Sequence, residues 1–277
     1  MPGAPRPFEA GVAPTIRGEV AGEGPPVVLL HGLTATRRYV LHGSRALERA
    51  GHTVVAYDAR GHGESDPATP QQGYGYPELV DDLEGVLAAT VGDRPYVLAG
   101  HSMGAHTAVA HALREPTGLV GLVLAGPVYC GEVTDRGLAH WDGLAEGLER
   151  GGIDGFLASL DEQSETAEEW RQTVLRFTRE RMERHRDLGA VAAALRQVPR
   201  SRPFGSLAEL ESLDVPALIV ASRDEADPGH PQAVAEAYVS HLPDARLASE
   251  GEGESPLAWQ GGKLSREVAA FCAELGV

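Results

Sequence analysis

A short apolar run, Tyr96-Val97-Leu98-Ala99, leads straight into Gly100-His101-Ser102-Met103-Gly104, and this junction constrains the chain more than any other stretch. The Gly-x-Ser-x-Gly spacing fits a strained strand-to-helix turn, in which small flanking residues let neighbouring backbone approach the serine. A strand ends, a serine is presented, and a helix begins.

Similar apolar runs bounded by Gly, Pro or Asp recur between helix-like segments, the pattern of a parallel sheet with crossover helices. Val27 to Leu30 precedes His31-Gly32, Val54 to Tyr57 precedes Asp58, Leu119 to Leu124 runs into Ala125-Gly126-Pro127, and Ala217 to Val220 runs into Ala221-Ser222-Arg223-Asp224. Polar and glycine residues thus gather at the strands' C-terminal ends, where open α/β sheets place their sites. Residues 8 to 22 read as a leading antiparallel hairpin. Between Pro127 and Leu207 no such run occurs, and the composition turns to Glu, Arg, Ala and Leu at helical spacing, best from Ala167 to Arg186. The expectation is a core of residues 1–127 and 207–277 with a helical cap of residues 128–206. Glycines at 143, 147, 151, 152 and 155 weaken the first part of that cap and point to mobility there.

The 277 residues, 42% of them hydrophobic, can bury one substantial core. The formal net charge of -16 disfavours nucleic acid or an anionic membrane as partner, because both need Lys and Arg against phosphate. No apolar stretch approaches the roughly 20 residues of a membrane span, so a cytoplasmic protein acting on a small molecule is expected. Cys130 and Cys272 have no metal-ligand spacing and read as reduced thiols. Nothing in the sequence calls for a metal, flavin or nucleotide cofactor.

With these residues in view, the chain resembles the α/β-hydrolase superfamily along essentially its whole length, with a cap inserted after the sixth strand. His31-Gly32-Leu33-Thr34 resembles the family's oxyanion loop, Asp58-Ala59-Arg60-Gly61-His62-Gly63-Glu64-Ser65 its glycine-rich loop, and Gly100 to Gly104 its nucleophile elbow. The resemblance implies a mostly parallel sheet flanked by helices, a Ser102 nucleophile, and an oxyanion hole from the backbone N–H groups of Met103 and Leu33. It also implies an acid after the next-to-last core strand. The family often reads Asp-x-x-x-Pro here, and Pro228 stands four residues beyond Asp224, so the resemblance favours Asp224 and leaves Glu225 and Asp227 as solvated loop charges.

One motif departs from the pattern. Relatives commonly read Gly-His-Ser-Pro in the last loop, and here the frame reads Gly253-Glu254-Ser255-Pro256, with no histidine beyond His241. Glu254 stands in the histidine's place, yet an unperturbed glutamate, with a pKa of roughly 4.3, is a poor base for a serine hydroxyl. A like-charge pair with Asp224 would raise one of their pKa values. The alternative base is His230, six residues past Asp224, whose plainer reading is a helix-start histidine facing water. His31 and His62 fit loop ordering, although His31 also belongs to the candidate oxyanion and substrate site. His101 neighbours the serine but should point elsewhere; His106 and His111 should pack or face solvent; His140 and His185 reach the site only if the cap folds over it. Trp141, Trp170, Phe156 and Tyr129 are candidates to line a pocket, with simple packing the plainer reading.

The functional expectation is attack on an ester, thioester, lactone or activated amide through Ser102 and a backbone oxyanion hole, with a noncanonical triad. Two alternatives stay open: a lyase or cyclase using the oxyanion hole alone, and a small-molecule binding protein that has lost its base.

Overall fold

Alternation along the buried strands explains how the sheet is covered on both sides. In the computed structural model, which describes residues 3–69, 71–223 and 227–277, Val28 and Leu30, Leu98, Leu122 and Leu124, and Ile219 face one apolar layer. Their neighbours Val27 and Leu29, Val97 and Ala99, Val123, and Leu218 and Val220 face the other. Such continuous apolar strands are what a sheet buried on both faces requires.

In chain order, β1 (Arg6–Ala10), β2 (Ile16–Ala21) and β3 (Pro26–Leu30) are followed by α1 (Ala46–Arg49) and β4 (Thr53–Tyr57). Next come α2 (Tyr76–Thr90), β5 (Tyr96–His101), α3 (Met103–Ala112) and β6 (Leu119–Ala125). Three helices then intervene, α4 (Asp135–Glu162), α5 (Glu168–Met182) and α6 (Leu188–Gln197). The chain closes with β7 (Ala217–Ala221), α7 (Gln232–His241), β8 (Ala245–Ser249) and α8 (Gly261–Leu275).

The eight strands form one sheet in the order β1-β2-β4-β3-β5-β6-β7-β8. The expected hairpin is there: β1 pairs antiparallel with β2, and β2 antiparallel with β4. Every other pairing is parallel. The order turns back beside β3, with β4 on one side and β5 on the other, so the loops after β3 and β5 meet at the C-terminal edge. Helices α2, α3 and α7 cover the first layer, and α1 and α8 the second. The edge strand β8, Ala-Arg-Leu-Ala-Ser, escaped the sequence reading: every position in it is half-buried, and it lacks the β-branched run of its neighbours.

The segment between β6 and β7 has an apolar cluster of its own, built from Leu144, Leu148, Phe156, Met182, Val191 and Leu195. Three of the five glycines flagged in the sequence have a geometric role. Gly152, at φ 59°, breaks α4 into two helical halves. A Cβ on Gly147 would come within 2.6 Å of the Gly155 carbonyl, so these two glycines let the halves touch backbone to backbone. Of the described residues, no helix is long and apolar enough to cross a membrane.

Candidate active site

Ser102 sits between the last residue of β5 and the first of α3 with φ 51° and ψ -114°, a conformation that side chains rarely adopt. Its flanking glycines explain the motif. A Cβ on Gly100 would collide with the backbone of Gly104 and Ala105, and one on Gly104 with the Leu30 carbonyl of β3. The Ser102 hydroxyl does not cap α3. Met103 opens that helix, and the N–H groups of a helix's first turn have no intrahelical acceptor.

The loop after β3 lies directly against this turn. A Cβ on Gly32 would stand 3.3 Å from Ser102 Cβ and 2.9 Å from His101 Nδ1. Leu33 and Met103, whose N–H groups the sequence proposes as oxyanion donors, pack into the same apolar cluster as Tyr74 and Tyr76. Thr34 holds a left-handed φ of 66°, unfavourable for a β-branched residue. Two histidines fix it: its N–H donates to His62 Nε2 at 3.4 Å, and its carbonyl accepts from His185 Nε2 at 3.0 Å. His185 follows α5 and also accepts from the Gly63 N–H at 2.9 Å, so the helical insertion is tied to both loops.

Buried His31 donates from Nδ1 to the Gly32 carbonyl at 2.8 Å, and its Nε2 accepts from the Ala59 N–H at 2.9 Å. With both ring nitrogens taken by backbone, His31 orders the loop and has no ring atom free for substrate. Burial, and then the neighbouring His62, push its pKa down to about 3; burial does the same to His185. Asp58 plays a similar structural part. Its carboxylate accepts from the Arg37 N–H at 2.7 Å and the Glu64 N–H at 3.0 Å, and pairs with the Arg37 guanidinium.

The acid and base candidates separate sharply. Glu254 is exposed, and its carboxylate accepts from Lys263 Nζ at 2.6 Å on the surface. The Lys263 hydrogen bond holds its pKa below the usual glutamate value. Nothing at that position offers a proton acceptor tuned towards neutrality. Asp224 lies outside the described residues. Asp227, read from the sequence as a solvated loop charge, is instead enclosed, and both its oxygens lie 2.8 Å from His230 Nδ1. Side-chain exposures of 19% for His230 and 14% for Asp227 also overturn the picture of a water-facing histidine.

His230 rests over the end of β6, where a Cβ on Gly126 would meet its ring at 2.9 Å. Its ring stands 4.9 Å from that of His101, the residue before Ser102. Burial pulls the His230 pKa down, but Asp227, through charge and hydrogen bond, outweighs it and holds it above the ordinary histidine value. Burial likewise pushes Asp227 up, and His230, His101 and Arg181 together bring it below the usual range. His101 is driven to about 3 by burial and by His230.

His101, Asp227 and His230 each offer a ligand atom, all within 4.8 Å of one another, so a divalent cation is geometrically conceivable. The Asp227–His230 bond and the nearby Arg181 guanidinium both oppose a cation there. Trp141 packs on the apolar cluster of the insertion and meets His140 edge-on. Trp170 of α5 faces Trp259, beyond Glu254, with ring centres 6.5 Å apart. The sequence reading missed His101 and Asp227, since neither lies in a motif position that marks it as part of a site.

Comparison with known proteins bears on the fold that carries these residues. Residues 25–256 match the family model described as alpha/beta hydrolase fold. Epoxide hydrolase B of Mycobacterium tuberculosis is 40% identical over 101 residues, which cover 36% of this chain and 28% of that protein. The sn-1-specific diacylglycerol lipase of Mus musculus is 39% identical over 101 residues, covering 36% of this chain and 32% of that one. The chain therefore aligns with only about a third of these relatives' lengths. A thermophilic esterase from Thermogutta terrifontis superposes with a TM-score of 0.79 at 22% identity, covering 99% of this chain and all of that one.

Proposed function

Since the chain belongs to the α/β-hydrolase fold family, we propose that it is a serine hydrolase acting on a carboxylic ester, thioester or lactone, with His230 rather than Glu254 as its base. The observation that carries this reading is the part-buried Asp227–His230 pair, whose histidine ring lies against His101, the residue before the strained Ser102 turn. Asp227 holds Nδ1, and among the described residues no hydrogen bond engages Nε2.

In this mechanism Ser102 Oγ attacks the substrate carbonyl while its proton passes to His230 Nε2, directly or through one bridging water. The carbonyl π electrons move onto oxygen, where the N–H groups of Leu33 and Met103 stabilise them. Collapse breaks the carbon–oxygen or carbon–sulfur bond, and the leaving group takes the proton from His230. Water then attacks the acyl-serine by the same route and releases the acid with Ser102 restored. The insertion of residues 128–206 acts as a cap over this chemistry. Asp227 does not change protonation; it orients the imidazole and stabilises the imidazolium.

Fluorophosphonate labelling between pH 5 and 9 tests this. The expected result is a single adduct on Ser102, absent from Ser102→Ala, with a labelling midpoint above the ordinary histidine value of about 6.5. Ser102→Ala should also lower ester turnover by at least about 10³-fold. A folded protein that takes no label would rule the reading out.

A further inference from the structure

Stabilising an oxyanion requires the turn of residues 32–35 to keep its shape, because it carries the Leu33 N–H and lies against Ser102. Its own sequence does not favour that shape. The Ala35 N–H closes the turn on the Gly32 carbonyl at 3.0 Å, and Thr34 takes the third position at φ 66°, where glycine is the usual residue. A β-branched residue without support relaxes out of that region, and relaxation would rotate the peptide before it.

Three imidazoles oppose this, one on each of three successive peptide planes. His31 holds the Gly32–Leu33 plane through the Gly32 carbonyl, His62 the Leu33–Thr34 plane through the Thr34 N–H, and His185 the Thr34–Ala35 plane through the Thr34 carbonyl. The rings lie side by side, with centres 5.2 Å apart from His31 to His62 and 5.5 Å apart from His62 to His185. His31 and His62 follow β3 and β4, but His185 comes from the segment between β6 and β7, 151 residues beyond Thr34. That segment is anchored at the same point by backbone: the Arg186 N–H donates to the Gly63 carbonyl at 3.1 Å while His185 Nδ1 accepts the Gly63 N–H. With Nδ1 an acceptor, the proton of the neutral ring sits on Nε2, the atom that donates to Thr34.

We propose that His185 is a positioning residue for the reaction: through its bond to the Thr34 carbonyl, the segment between β6 and β7 holds the 32–35 turn in the form that presents the Leu33 N–H to the oxyanion. The proposal rests on the serine-hydrolase reading for the use made of that N–H, but not for the coupling of His185 to the turn. Ser102 and His230 are untouched by it, so loss of the bond should weaken transition-state binding and spare substrate binding.

Two substitutions separate the two bonds of the ring. In His185→Gln the side-chain amide nitrogen takes the place of Nε2 and still donates to Thr34; in His185→Asn the amide oxygen takes the place of Nδ1 and still accepts from Gly63, but nothing reaches Thr34. On p-nitrophenyl butyrate, His185→Asn should lower kcat about 10- to 100-fold with KM within about twofold of wild type. It should weaken a trifluoromethyl ketone, whose hemiketal oxyanion uses the same donors, by a similar factor. His185→Gln should stay within about threefold of wild type in both measurements. Equal losses of kcat in the two variants, or wild-type kcat in His185→Asn, overturns the proposal.

Amide hydrogen exchange on peptides covering residues 32–37 and 60–65 gives a readout that needs no turnover. His185→Asn should exchange at least about tenfold faster in the first segment, and His185→Gln in the second only. Unchanged exchange of residues 32–37 in His185→Asn overturns the coupling. Should His185→Asn not fold, His185→Gln decides alone: faster exchange in both segments overturns the proposal, and faster exchange confined to residues 60–65 supports it. If the wild-type protein turns over no ester and takes no label at Ser102, the hydrolase reading falls, and exchange of residues 32–37 alone decides whether His185 holds the turn.

Discussion

Replacing Asp227 by Asn removes a charge while nearly preserving shape, and the 2.8 Å contacts to His230 make the consequence specific. The carboxylate is what raises the His230 pKa against burial. Without it the imidazolium is less stable, so the acidic limb of the kcat/KM profile should move to lower pH. The maximal rate should fall by on the order of 10⁴-fold as the ring loses its orientation. A pH–rate profile of Asp227→Asn checks both. Glu254→Gln offers the contrast: its partner is Lys263 at the surface, and exposed pairs contribute little. Ester turnover and urea midpoint should both stay at wild-type values. Ser102 was legible because the glycines around it are demanded by backbone collisions that a sequence motif records. Asp227 was not, because the spacing to Pro228 pointed to Asp224, while the grouping of Asp227 and His230 with His101 arises only when two distant segments meet.

Among the elements, α4 shows how the same residue type can be required at one position and wasteful a few residues away. Gly155→Ala would drive a Cβ into the Gly147 backbone, which no rotamer can relieve. The helix-propensity gain of about 1 kcal/mol is set against an overpacking cost of about 1–3 kcal/mol. The expected result is net destabilisation, read as a lower urea midpoint. Gly151→Ala meets nothing within 4 Å and should stabilise by roughly 0.5–1 kcal/mol. The sequence could show that this helix is rich in glycine but not which glycines face a partner. The strands were far easier. Those between β3 and β7 are covered on both faces and read as unbroken apolar runs, whereas β8 at the edge is half-covered and has no such signature. Helix α5 fell inside the segment its periodicity marked, yet its hold on the loops comes from His185 just past its end, where only tertiary contact reveals it.

For the whole molecule, the histidines decide how stability responds to acid. His31, His101, His106 and His185 are each held near a pKa of about 3, chiefly by burial. In the unfolded chain they take up protons near 6.5, so below that pH the unfolded state binds more protons and stability declines as pH falls towards 3. His230 acts in the opposite sense: its folded pKa is raised, so its contribution is present below about 6.5 and lost as pH rises through the folded value. His42, His52, His62, His111 and His140 are lowered as well, so nine histidines against one set the net direction. Urea midpoints should drop steadily from pH 7 to pH 4.5, and a flat profile would contradict the burial of these rings. The spacing of Asp227 and His230 has a consequence of another kind. Orienting acid and proton carrier sit three residues apart on one loop, so in the proposed mechanism the relay travels as a single cassette. The exposed turn of residues 251–254 is thereby released from catalysis, and an engineer could lengthen, shorten or rewrite it as a handle for immobilisation or fusion.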